Sequence, residues 1–251
     1  MKLRLAICAA ALALAACSPA PAGDEAAAPA EGASAKRVAL PDCETVEAQD
    51  QGADGWKHPD CRALLPDGSG LAIEARYAPA EDESIEVTVQ VVQTGDATIQ
   101  EFKERMGNTF NGPTVKDFDG DGKADVLLPL ETGNVNTTWA VWRQVDGPKF
   151  VRVGEPNGVS IVKTDSGYIA VQGRSSAADY YVSFFKLEPE ELKPMLTIEV
   201  SGKGEPGKVT DVECALTDDG GLAGTGLTED AAHEKFCAEP TVVGLVKDMM
   251  P

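Results

Sequence analysis

The segment Lys116–Leu130 reads KDFDGDGKADVLLPL, in which a cluster of aspartates gives way abruptly to an apolar run. Acids at positions 1, 3, 5 and 9 of a loop point alternate carboxylates at a common centre. These acids are Asp117, Asp119, Asp121 and Asp125. Gly122 at position 6 permits the sharp bend, and the backbone carbonyl of Lys123 at position 7 is placed to complete an oxygen shell. Because oxygen donors favour hard cations, the segment predicts a Ca²⁺ site.

The residues after this loop exclude an EF-hand. An EF-hand requires a glutamate at position 12 and a helix on either side, whereas position 12 here is Leu128, next to Pro129 in a strand-like run. The loop is therefore predicted to lead directly into a β-strand. Carboxylates that saturate the ion leave no open position for a substrate, so the predicted metal is structural and not catalytic.

The rest of the chain is dominated by strand-length segments rich in β-branched and aromatic residues. Turn sequences such as PDGSG and TDSG separate them, and strands spaced by turns predict antiparallel sheets in a propeller-like or sandwich arrangement. The segments are LAIEARYA at 71–78, SIEVTVQVVQ at 84–93, ADVLLPL at 124–130, TTWAVWRQ at 137–144, KFVRVG at 149–154, YIAVQG at 168–173, YYVSFFKLE at 180–188, LTIEV at 196–200 and VTDVECAL at 209–216.

Two short helices complete the predicted mainly β fold. In ATIQEFKERMG, residues 97–107, the apolar side chains of Ile99, Phe102 and Met106 share one helical face. In TEDAAHEKFC, residues 228–237, a threonine precedes two acids, as at a capped helix start. The C-terminal segment PTVVGLVKDMMP is compatible with strand or helix.

The N-terminus predicts export and lipid anchoring. Residues 1–16 combine two basic residues with a short apolar run, as in a secretory signal peptide. The sequence LAAC ending at Cys17 resembles the bacterial lipobox, which implies that Cys17 carries diacylglyceryl and fatty-acyl groups. Ser18 after it is not the aspartate that retains such proteins at the inner membrane, so the outer membrane is predicted. Residues 17–37 are an Ala- and Pro-rich tether, and residues 38–251 form the β-rich domain.

Four cysteines remain after the leader and the anchor, and in an oxidising compartment an even number implies disulfides. They are Cys43, Cys61, Cys214 and Cys237. Three pairings are compatible with the sequence, and short loop closures favour Cys43 with Cys61 and Cys214 with Cys237.

The net charge of −19 disfavours partners rich in phosphate, including nucleic acid and anionic membrane surfaces, and favours a cationic protein or a metal.

Apparent catalytic motifs lack their required partners, so the chain is predicted not to be an enzyme. Gly202–Lys208 imitates a phosphate loop but precedes a strand-like segment, and Ser160–Lys163 has SxxK spacing in a strand. His233 would need further zinc ligands, and His58 is expected to be a solvated loop histidine.

Residues 115–154 resemble the core of a family of periplasmic lipoproteins with a single calcium-binding DxDxDGxxD loop, the loop type of FG-GAP and integrin-like blades. The shared features are the aspartate loop, the strand after it, an Asn-rich turn, a Trp-containing strand and a Phe-Val hairpin. The resemblance implies bound Ca²⁺ at the loop residues named above. Some members inhibit lysozyme-like peptidoglycan hydrolases, which implies a basic protein partner. Two alternatives stay open, a carbohydrate-active envelope hydrolase and a structural or assembly lipoprotein.

Overall fold

The computed structural model describes residues 39–52, 55–81, 84–93, 97–205, 208–223 and 225–250. The predicted signal peptide, the tether, the acylated Cys17 and the first residue of the predicted domain lie outside these ranges. Within them, neither helix has both the length and the apolar character required to cross a bilayer.

The first sheet is an antiparallel meander in which consecutive strands pair in the order β3-β4-β5-β6. A two-stranded ribbon, β1-β2, precedes it. The strands are β1 (Gln49–Asp50), β2 (Trp56–Lys57), β3 (Cys61–Leu64), β4 (Ala72–Pro79), β5 (Ile85–Val92) and β6 (Thr98–Met106).

The second sheet is a similar meander in the order β10-β9-β8-β7, with β11 paired to the start of β9. Its strands are β7 (Thr114–Lys116), β8 (Asp125–Thr132), β9 (Thr137–Gln144), β10 (Phe150–Gly154) and β11 (Asn157–Gly158). The aspartate loop is the connection between β7 and β8, so it closes a hairpin at one end of this sheet.

The third sheet runs in the order β12-β13-β14-β15-β16, and two helices follow it. Its strands are β12 (Ser160–Lys163), β13 (Ile169–Arg174), β14 (Asp179–Glu188), β15 (Glu191–Glu205) and β16 (Lys208–Asp218), and the helices are α1 (Glu229–Cys237) and α2 (Pro240–Met249). On either side of residues 206–207, Glu205 of β15 pairs with Lys208 of β16, as expected for a hairpin and not for a phosphate loop followed by a helix.

Three apolar clusters join these elements into layers. The first is built from side chains of the first and second sheets, and the second from side chains of the second and third. The third packs the two helices on the remaining face of the third sheet. Strand β8 sends Val126 and Leu128 into the first cluster and Leu127 into the second, because successive side chains of a strand point to opposite faces. The second sheet is therefore covered on both faces.

The mainly β, antiparallel fold with two short helices is confirmed, but one predicted helix is wrong. Residues 98–106 form strand β6, which pairs with β5 and places Val89 opposite Phe102. Phe102 and Met106 are buried and Ile99 is exposed. A separation of four residues fits a strand as well as a helix, and the pairing with β5 decided between them.

The predicted helix at the C-terminal side is confirmed, and the open C-terminal segment is helical. Thr228 caps α1 by accepting a hydrogen bond from the Ala231 amide at 3.3 Å.

Both favoured disulfides are present, Cys43–Cys61 and Cys214–Cys237. The second joins the end of α1 to β16, and each is expected to stabilise the fold by about 3 kcal/mol.

Candidate metal centre

The aspartate loop is folded by its own first side chain. The Asp117 carboxylate accepts hydrogen bonds from the backbone amides of Gly120 at 2.6 Å, Asp121 at 3.2 Å and Gly122 at 2.9 Å. Gly120 and Gly122 have φ of 68° and 86°, a region that favours glycine. The two glycines in the sequence therefore allow the chain to curl around one carboxylate.

Three of the four predicted acidic ligands converge. Oxygen atoms of Asp117, Asp119 and Asp125 all lie within 4.8 Å of one another. Asp119 and Asp125 are buried and Asp117 is exposed, so the group opens to solvent on one side. These atoms are near enough to share one cation, and they are oxygen donors of the kind that Ca²⁺ takes.

Asp121, the fourth predicted acid, lies outside this group. Its carboxylate accepts a hydrogen bond from Arg143 Nη2 at 3.2 Å and lies 3.7 Å from Lys123 Nζ. The Lys123 ammonium also donates to the backbone carbonyl of Val145. The side chain of Lys123 thus ties the loop to the second sheet, and the ligand role of its backbone carbonyl stays a prediction.

Arg143 on β9 contacts the aspartate loop, which the sequence did not reveal. Its Nε donates to Asp119 Oδ2 at 2.5 Å, and Nη2 reaches Asp121 as described above. Only 20% of its side chain is exposed. The sequence identifies Arg143 only as part of a strand, because its position opposite the loop depends on the pairing of β9 with β8.

Asp125 is the most deeply buried acid of the group, with no exposed surface. Its carboxylate accepts hydrogen bonds from the backbone amides of Gln144 at 2.9 Å and Phe118 at 3.2 Å. Burial raises the pKa of Asp125 to about 7; these two amides act in the opposite direction, and the charges of Asp119 and Asp121 raise it further. A cation beside this carboxylate would favour its ionised form.

The loop also connects two sheets. Asp67, in the turn between β3 and β4, accepts a hydrogen bond from the Ala124 amide at 3.2 Å. Asp125 holds the Gln144 amide at the end of β9. The centre is therefore placed where a bound ion would brace the first and second sheets against each other.

The two histidines and Cys237 have structural partners. His233 donates to the Cys214 carbonyl at 2.9 Å, and Cys237 is in a disulfide, so these residues do not form a zinc site. The expectation of a solvated His58 is wrong. That imidazole is 7% exposed, donates to the Thr109 carbonyl at 2.9 Å and stacks on Tyr77. Burial lowers its pKa, in opposition to the hydrogen bond with Thr109.

A second surface feature is a hollow of about 610 Å³ beside the second sheet. Three of the side chains that line it are exposed apolar residues, Phe110, Val135 and Val159. Trp56 lies against the Phe110 ring, with 5.7 Å between ring centroids. An exposed aromatic and apolar patch of this kind is typical of contact surfaces between proteins.

Comparisons with known proteins give no family assignment. No protein-family profile matches the chain, and no curated protein matches it. A solved structure described as "Structure of a Xanthomonas Type IV Secretion System related protein" matches with a TM-score of 0.39 and 10% sequence identity. The match covers 70% of this chain and 95% of that chain, and a similarity this distant establishes neither a fold nor a function.

Proposed function

We propose that this protein is a non-catalytic binding module of the bacterial envelope whose β-domain is braced by a structural Ca²⁺ ion. The observation that carries the proposal is the convergence of Asp117, Asp119 and Asp125 within 4.8 Å, in a loop hydrogen-bonded to two sheets. Carboxylates this close repel one another unless a positive charge lies among them. Arg143 supplies part of that charge through its contact with Asp119, and calcium would supply more while accepting oxygen ligands in a flexible geometry.

The proposed location is the periplasmic face of the outer membrane, with acylated Cys17 as the anchor. The two disulfides support a compartment outside the cytoplasm, because such bonds persist in oxidising environments. The lipobox-like LAAC and the Ala- and Pro-rich tether support the anchor. The domain would then be held near the wall and free to meet soluble envelope proteins.

The proposed partner is a cationic, lysozyme-like peptidoglycan hydrolase. The net charge of −19 supports a basic partner, since opposite charges accelerate encounter. The apolar patch of Phe110, Val135 and Val159 supplies the desolvated contact that charge alone does not give. Together they support inhibition by surface binding.

Calcium is expected to raise the melting temperature of the purified domain. A ligand at one hundred times its Kd stabilises the folded state by about 2.7 kcal/mol. For a domain of this size that corresponds to a rise of roughly 5–10 °C. The measurement is a thermal melt with EGTA and with added Ca²⁺.

Asp117→Asn should abolish most of that rise, because it removes the charge of one predicted ligand. Asp50→Asn is the matched control, since exposed Asp50 also accepts a local amide, that of Gly52 at 2.7 Å. The control should respond to Ca²⁺ as the wild type does. Identical wild-type melting curves in EGTA and in Ca²⁺ would remove the calcium site from the proposal.

The domain is also expected to inhibit a basic lysozyme-type enzyme, with an affinity that falls as salt increases. Phe110→Ala should weaken inhibition by about fivefold or more, as truncation of an interface anchor typically costs above 1 kcal/mol. The measurement is peptidoglycan turnover against inhibitor concentration at two ionic strengths. Full hydrolase activity in excess wild-type protein would exclude the inhibitory function. The structural calcium site would still be tested separately by the thermal melts with EGTA and Ca²⁺.

A further inference from the structure

Arg143 pairs with two acids of the aspartate loop. Its guanidinium donates to Asp119 Oδ2 at 2.5 Å and to Asp121 Oδ2 at 3.2 Å, and so bridges the third and fifth positions of the loop. We propose that Arg143 is an internal counter-cation of the loop that must give way when Ca²⁺ binds. This inference rests on the proposed calcium site and concerns how its occupancy is controlled.

The position of Arg143 follows from the sheet. Strand β9 pairs with β8 so that Trp142 lies opposite Val126. Because the strands are antiparallel, Arg143, which follows Trp142 on β9, lies near Asp125, which precedes Val126 on β8. Side chains alternate along a strand, so Arg143 emerges on the face that also carries Val141, away from Trp142. The sheet therefore fixes the guanidinium beside the loop at little conformational cost.

Burial makes this ion pair substantial. The Asp119 side chain is 2% exposed and the Arg143 side chain 20% exposed, so solvent screens their attraction less than it would at the surface. Removing one partner of such a pair leaves an uncompensated charge in the interior. The acids of the loop are thus partly neutralised by the chain itself.

Asp119 belongs to both arrangements, which makes them competitors. It is one of the three acids that converge, and it is also the partner of Arg143. Its two oxygens are both engaged, Oδ1 by the Asp121 amide at 3.0 Å and Oδ2 by Arg143. A divalent ion that takes Asp119 must share or displace the guanidinium, whose positive charge repels it.

The consequence is a site that binds Ca²⁺ weakly. Affinities of about 10⁻⁴–10⁻³ M are typical of extracellular calcium modules, where free calcium is abundant. An arginine that competes for a shared ligand lowers the affinity toward this range. Occupancy would then follow the calcium concentration of the envelope.

The test compares Arg143→Gln with Arg152→Gln by calcium titration calorimetry on the folded domain. Arg152 is a matched control because it also pairs with two carboxylates, those of Glu104 and Glu155, outside the loop. Arg143→Gln is expected to bind Ca²⁺ at least tenfold more tightly than wild type, and Arg152→Gln to bind as wild type does. Equal affinity in all three proteins would overturn the inference and leave the calcium site intact. The absence of a heat of binding in all three proteins would overturn both this inference and the proposed calcium site.

A second measurement uses the wild-type protein, so it holds even if Arg143→Gln does not fold. In ¹⁵N-labelled protein, Ca²⁺ should shift the Arg143 Nε–H resonance and speed its exchange with solvent, as its bond to Asp119 is lost. The backbone amides of Gly120 and Gly122 report binding to the loop independently. If these amides respond and the Arg143 Nε–H does not, the competition is disproved. If nothing responds, calcium does not bind.

Discussion

Asp125→Ala is expected to lower the free energy of unfolding by about 2–6 kcal/mol, even in EGTA. The Asp125 carboxylate is fully buried and accepts the backbone amides of Phe118 and Gln144. Each buried amide left without an acceptor costs about 1–3 kcal/mol. Chemical denaturation in EGTA measures the loss with any contribution from calcium removed.

Two further variants separate the causes of this loss. Asp125→Asn removes the charge but keeps one acceptor oxygen, so it should destabilise the domain less than Asp125→Ala. Asp117→Ala also frees backbone amides, but Asp117 is exposed and water can replace its carboxylate, so the expected loss is below about 1 kcal/mol. Equal losses for Asp117→Ala and Asp125→Ala in EGTA would contradict the structural role assigned to Asp125.

Phe236→Ala is expected to destabilise the domain by about 3–5 kcal/mol, the usual range for a buried phenylalanine. Phe236 has no exposed surface and lies between Phe184 and Tyr168, at centroid distances of 4.7 and 5.1 Å. With Ala232, it is one of the two buried side chains through which α1 packs on the third sheet. The cavity left by alanine cannot close easily, because the neighbouring Cys237 is held to Cys214 by the disulfide.

The control is the same substitution at an exposed position. Phe110 is 52% exposed, so Phe110→Ala should change the free energy of unfolding by less than about 1 kcal/mol. Equilibrium unfolding in denaturant compares the two variants at unchanged m-value. A loss at Phe236 no larger than that at Phe110 would mean that α1 does not contribute to the core.

The strands were predictable because their signal is local. Alternating apolar residues and the turn sequences between them are properties of a few neighbouring residues, and each of the nine predicted segments overlaps a strand. The disulfide pairing was also predictable, since each bridge closes a short loop, with separations of 18 and 23 residues. The Thr228 cap of α1 belongs to the same class of local signal.

Residues 98–106 show where local reasoning failed. Their apolar spacing satisfies a helix and a strand at once, and only the hydrogen bonds to β5 selected the strand. The burial of His58 has the same origin, because its partners Thr109 and Tyr77 are distant in sequence. Neither the strand at residues 98–106 nor the burial of His58 can be read from the residues adjacent in the sequence.

The aspartate loop divides in the same way. The sequence by itself determined the loop, the bend at Gly122 and the strand that follows, because these depend on spacing and on backbone conformation. Only the tertiary structure decided that Asp117, Asp119 and Asp125 converge while Asp121 turns to Arg143. The physical reason is that Arg143, which pairs with both Asp119 and Asp121, is brought beside the loop by the pairing of β9 with β8 and not by its neighbours in the sequence.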